Sequence, residues 1–83
     1  MDIKSWLIDW FATHADVDRE EIVGKTGKNY FECAWIDSLK FVFFINDIEA
    51  HFDVHFSNSE FQNRGFATID GLAIIIEGKL NEK

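Results

Sequence analysis

An all-α fold, a small bundle of three longer helices and one short one, is predicted by three features of the chain. Three segments carry apolar residues at helical spacing, no segment alternates apolar and polar residues as a half-buried strand does, and proline is absent. At 83 residues the chain has enough material for one hydrophobic core and therefore for a single domain, 1–83. Hydrophobic residues make up 47% of it, which supports that core and argues against intrinsic disorder.

The first helix is expected over about residues 2–14. Ile3, Trp6, Leu7, Trp10 and Phe11 stand at i, i+3, i+4, i+7 and i+8, one helical face, and Asp2 places a carboxylate at the amino end. Asp16, Asp18, Glu20 and Glu21 then break the period, and a short turn is expected over Asp18 to Val23. Residues 24–36 form a long connection containing Gly24, Gly27 and Asn29, then the unperiodic apolar residues Tyr30, Phe31, Cys33, Ala34, Trp35 and Ile36. Structureless loops of this length are uncommon in small domains, so these side chains are expected to pin the loop to the core.

Asp37 and Ser38 are both amino-cap types, so the next helix begins at one or the other and runs to about Phe52. Its stripe is read as Leu39, Val42, Ile45, Ile48 and Phe52, flanked by Phe41 and Phe44. Ser57, Asn58 and Ser59 offer caps for a helix of one or two turns around Glu60 and Phe61, which Gly65 stops. Thr68 caps the last helix, whose face is Ile69, Leu72, Ala73 and Ile76 and which Gly78 ends. Most of the nine Phe and three Trp residues are expected in the core.

Fifteen acidic side chains against eight basic ones give a net charge of −7, which repels phosphate backbones and anionic lipid and favours basic partner surfaces. Nucleic-acid binding is disfavoured. The longest apolar runs, Phe41 to Ile45 and Leu72 to Ile76, fall far short of the roughly 20 residues of a membrane span. A lone Cys33 closes no internal disulfide, and Asp2, Lys4 and Asp9 interrupt the apolar stretch that a signal peptide needs. A free-standing, monomeric, cytoplasmic protein is the expectation.

The sharpest local signal is Asp37-Ser38-Leu39, which places a hydroxyl in the first turn of a helix directly after a long loop. A phosphate ester on Ser38 would meet unpaired backbone N–H groups and the positive end of the helix dipole. Taken as three residues alone, the same pattern is a plain amino cap. Other motifs fail. Gly24-Lys25-Thr26 ends like a phosphate-binding loop, but Arg19 stands where its first glycine belongs. Asp16, Asp18 and Glu20 begin like a calcium loop, yet Glu21 occupies the position of the required glycine. His51 and His55 have helical spacing, but the helix ends between them and no third metal ligand has a place. Cys33 has no cationic neighbour, which marks an inert thiol, and no spacing joins Ser38, His14 and a carboxylate into a triad.

A longer series surrounds Ser38. Asp37-Ser38-Leu39 heads a helix that ends in Glu49-Ala50-His51-Phe52, then come Asp53-Val54-His55-Phe56, a short helix, and Ala67-Thr68-Ile69-Asp70 opening the last one. From Ile36 to Ile76 this series resembles the acyl carrier protein family, and the first helix and long loop extend the likeness over nearly the whole chain. The resemblance implies a four-helix acyl-carrier-like bundle with a long loop ahead of the Ser38 helix. It implies that a phosphopantetheinyl transferase attaches 4′-phosphopantetheine from coenzyme A to Ser38, and that acyl groups ride on the arm as thioesters. Such a carrier is no enzyme itself, and acyl-transfer or synthase enzymes of fatty-acid, polyketide or specialised lipid biosynthesis are its implied partners. The tether raises the effective concentration of cargo at each of them. Asp37, Leu39, Phe43, Asp47 and Glu49 form the implied docking surface. An acyl chain sheltered among the helices would be lined by Val42, Ile45, Phe61, Ile69 and Leu72, which are equally ordinary core residues.

Two departures from the family pattern bear on function. Trp35 stands where a glycine is usual, so an altered loop is expected ahead of Asp37. Where acids usually line the partner-facing side, this chain has Lys40, Phe43, Asn46, Glu49 and Ala50, and only Glu49 keeps the charge. An exposed Phe43 implies docking by apolar contact with a dedicated partner; a slight rotation of the helix buries Phe43 instead. The alternative function is a helical protein-interaction module with the carrier fold and no prosthetic group. Burial or exposure of the Ser38 hydroxyl bears on the choice, since a buried hydroxyl opposes modification.

Overall fold

The computed structural model describes residues 2–82 and contains four α-helices: Ile3–His14 (α1), Arg19–Val23 (α2), Ser38–Phe52 (α3) and Ile69–Asn81 (α4). Two 3₁₀ turns, Glu60–Gln62 and Arg64–Ala67, precede α4, and no strand occurs among the described residues. The predicted all-α bundle with three longer helices is therefore the observed class. Each long helix starts at a side-chain cap. Asp2 accepts a hydrogen bond from Ser5 N at 3.3 Å, Asp37 from Lys40 N at 2.8 Å and Thr68 from Gly71 N at 3.0 Å.

The core gathers one face of each helix. Leu7 and Phe11 of α1, Ile22 of α2, Phe44 and Ile48 of α3, and Ile69, Leu72 and Ile76 of α4 are completely enclosed. Rings form its centre: Phe11 lies 4.9 Å from Phe44, 5.1 Å from Tyr30 and 5.7 Å from Trp35 between centroids. The long loop is pinned as expected, and Tyr30 is the pin. Its N–H donates to Ala67 O at 2.9 Å and its hydroxyl donates to Phe66 O, so one residue of the loop is fastened to the turn before α4. Burial pushes the Tyr30 phenol well above its ordinary value, which keeps it a neutral donor.

Three details differ from the sequence expectation. The buried face of α3 is Phe44, Ile45, Ile48 and Phe52 with half-buried Phe41, whereas Leu39 and Val42 face solvent. The helix is turned so that the larger Phe44 meets Trp10, Phe11 and Tyr30. The expected short helix around Glu60 is instead the pair of 3₁₀ turns, and Gly65 lies inside the second of them. There the Asn63 side chain accepts from Gly65 N at 2.9 Å and restarts the turn. Gly78 does not end α4, which continues to Asn81; a lone glycine weakens a helix without stopping it.

In the loop ahead of Asp37 a left-handed backbone position falls at Ala34, with φ 61°, and Trp35 after it buries its indole against Phe11. Alanine carries a Cβ penalty in that conformation that glycine avoids. Ala34→Gly is therefore expected to stabilise the fold by about 0.5–1 kcal/mol, read as a higher urea midpoint with an unchanged slope.

Two ion pairs fasten the termini of the bundle. Asp70 accepts from Lys4 at 2.6 Å and from the Thr26 hydroxyl at 3.1 Å, joining α1, the long loop and α4. Glu60 accepts from Lys79 at 2.8 Å, joining the first 3₁₀ turn to α4. The Lys79 hydrogen bond holds Glu60 below its ordinary value of 4.5, and the Lys4 hydrogen bond holds Asp70 below its ordinary 3.8. Folding thus favours the ionised form of both. Their stabilisation is complete above those ordinary values and is lost as pH falls through the lower folded ones. Thermal midpoints should drop on acidification below about pH 4.5, and Lys79→Met should lower the midpoint modestly at neutral pH, act little at low pH and so remove part of that slope.

Candidate functional site

The Ser38 site is built by Asp37. That residue is extended, with φ −114° and ψ −178°, and it turns the chain from the long loop into α3 while its carboxylate closes on Lys40 N. Capping is therefore done by Asp37 and not by Ser38. Ser38 is the first residue of the helix, it is exposed, and among the described residues no hydrogen bond engages its hydroxyl.

Beyond Ser38 the helix presents an apolar surface to solvent. Leu39, Val42 and Phe43 are 67%, 54% and 57% exposed, and the adjoining outward positions are Asn46 and Ala50. No charge lies on this stripe, although the chain carries −7. The question left by the sequence about Phe43 is answered by the turn of α3: burying Phe44 sends Phe43 outward.

Along one side of this stripe runs a groove of about 480 Å³ between α1 and α3. Trp10 and His14 line it from α1, and Asp37, Leu39, Lys40, Phe43 and Asp47 line it from α3 and its cap. Its polar groups already have partners. Trp10 Nε1 donates to Asp47 Oδ2 at 2.7 Å, and Lys40 Nζ donates to the carbonyl oxygen of His14 at 2.8 Å. The His14 ring stacks on Trp10 at 4.3 Å, with Nδ1 2.9 Å from the Trp10 carbonyl oxygen.

The structure thus brings Asp37, Ser38, Leu39, Phe43 and Asp47 to one end and flank of α3. Glu49 stands apart. Half-buried, it accepts from Phe56 N at 3.0 Å and fastens the turn after the helix, so its carboxylate does not join the exposed surface of Leu39 and Phe43. The expected acyl-chain lining also divides: Ile45, Ile69 and Leu72 are buried in the core, whereas Val42 and Phe61 lie at the surface. Trp10 and His14 belong to the groove although the sequence marked neither for it, and Lys40, noted in sequence only for its charge on the partner-facing side, joins them. The only signal was spatial, because Trp10 and Asp47 are 37 residues apart.

Among the described residues no group of three or more His, Cys, Asp and Glu side chains is arranged to hold a metal ion. His51 stacks on Trp6 at 4.8 Å, and Cys33 is half-buried. No described helix is long and apolar enough to cross a membrane. No protein-family model, curated protein or solved structure matches the chain.

Proposed function

We propose that this chain is a non-catalytic carrier that holds acyl groups as thioesters on a 4′-phosphopantetheine arm attached to Ser38. The observation that carries this reading is the division of labour at the start of α3: Asp37 caps the helix, so the Ser38 hydroxyl is exposed and unengaged. An enzyme that modifies Ser38 can reach it without breaking a hydrogen bond of the fold. A phosphodiester there lies at the amino end of a 15-residue helix, where the dipole and the first-turn N–H groups that Asp37 leaves unpaired favour negative charge. When attached, the group supplies a flexible arm whose terminal thiol bears the acyl cargo. The chain's own residues hold that arm at one defined point and offer a docking face beside it.

Coenzyme A is the donor and a phosphopantetheinyl transferase the first partner in this reading. Acyl-transfer or synthase enzymes of fatty-acid, polyketide or specialised lipid biosynthesis follow, in the cytoplasm. Leu39 and Phe43 make partner docking chiefly apolar, with Asp37 and Asp47 at the edge. The same exposed side chains support a second reading, a helical interaction module without the prosthetic group.

Intact mass separates the two. Purified protein incubated with coenzyme A, magnesium and a broad-specificity phosphopantetheinyl transferase is expected to gain the mass of one phosphopantetheine group, and Ser38→Ala to gain nothing. A folded wild-type protein that no transferase modifies would favour the interaction module.

A further inference from the structure

We infer that the acyl end of the arm rests in the surface groove between α1 and α3, against Leu39, Phe43 and Trp10, and that the groove selects a neutral, apolar acyl group. This inference rests on the carrier reading above. The first argument is position. The groove begins where the arm begins, since Asp37 and Leu39, the two neighbours of Ser38, both line it. At about 480 Å³ it falls within the roughly 300–1,000 Å³ of small-ligand sites.

The second argument is the state of the core. Phe11, Tyr30 and Phe44 are fully enclosed and in mutual ring contact, and Ile69 and Leu72 behind them have no exposed surface. A chain inserted there would have to displace packed side chains, which interiors resist. The groove needs no such displacement, because Leu39 and Phe43 already lie open to water. Covering them with hydrocarbon removes apolar surface from water on both sides.

The third argument is charge. Asp37 and Asp47 set two carboxylates against the one ammonium of Lys40, which is drawn onto the His14 carbonyl, so the charge balance of the wall is negative. Two carboxylates flank the groove, and they repel a cargo that ends in a carboxylate. Hydrocarbon is accommodated and a malonyl-type group is turned away.

The test uses the full chain, labelled with ¹⁵N and loaded with either hexanoyl- or malonyl-phosphopantetheine, with loading checked by intact mass. Three tryptophans give three indole N–H signals, and that of Trp10 reports the groove directly through its bond to Asp47. Hexanoyl loading is expected to shift the Trp10 indole and the Leu39 and Phe43 amides relative to the unacylated arm, while the Trp6 and Trp35 indoles hold still. Malonyl loading should leave Trp10 where the unacylated arm leaves it. Phe43→Ser, a change at an exposed position, is expected to keep the fold and lose the hexanoyl shift.

Complete loading without a Trp10 shift overturns the groove and leaves the carrier reading standing. So does a shift concentrated at Phe66, Ile69 and Leu72, which would place the cargo in the core, or at Phe31 and Trp35 on the other side of Asp37. An equal shift with malonyl overturns the selectivity. Absence of any mass gain overturns the carrier reading and this inference with it.

Discussion

Phe44→Ala is expected to destabilise the fold by about 3–5 kcal/mol, whereas Leu39→Ala and Val42→Ala should each change stability by no more than about 0.5 kcal/mol. Phe44 is completely enclosed, with Trp10 at 4.5 Å, Phe11 at 4.9 Å and Tyr30 at 5.9 Å between centroids. Removing its ring leaves a cavity that three large rings must collapse into or leave empty. A domain of this size has a total stability on the order of 4–12 kcal/mol, so the variant loses a quarter of it or more. Urea unfolding followed by far-ultraviolet circular dichroism measures all three variants. A larger loss at Leu39 than at Phe44 would mean that α3 is turned the other way.

This comparison also marks where the sequence stops being informative. The three long helices were legible, with the cap of α3 narrowed to Asp37 or Ser38, because spacing and cap chemistry are local: Asp2, Asp37 and Thr68 act within three residues of themselves. The buried face of α3 was not. Two overlapping stripes share Ile45, Ile48 and Phe52, one continuing through Val42 and Leu39, the other through Phe44 and Phe41. Choosing between them requires knowing that Trp10, Phe11 and Tyr30 stand opposite, and that is tertiary information. The candidate site divides in the same way. Ser38 was legible from its place after a loop and before a helical stripe, whereas the groove depends on Trp10 reaching Asp47 across the bundle.

Gly71→Ala is expected to destabilise the fold by about 1–3 kcal/mol, against the usual benefit of alanine in a helix. A Cβ on Gly71 would stand 2.4 Å from the carbonyl oxygen of Gly65 and 2.5 Å from its Cα. Both are backbone atoms of the second 3₁₀ turn, so no side-chain rotation relieves the collision; α4 and the turn must separate. Gly78→Ala is the internal control. Nothing lies within 4 Å of its Cβ, and there the substitution should stabilise α4 by up to about 1 kcal/mol. Thermal unfolding of the two variants should therefore move in opposite directions. A gain at Gly71 would show that the turn and the helix do not pack through their glycines. In sequence the two glycines look alike, because each interrupts an otherwise good helix and only the neighbouring backbone distinguishes them.

The uncharged stripe on α3 has a thermal consequence. A partner seated on Leu39, Val42 and Phe43 draws its affinity from carbon removed from water, a driving force that is entropic near room temperature and carries a negative heat-capacity change. Hydrophobic contact weakens on cooling, while screening by salt acts on exposed charges and leaves it in place. A complex held through this face would survive a salt wash and loosen on ice, the reverse of one held by carboxylates against a basic patch.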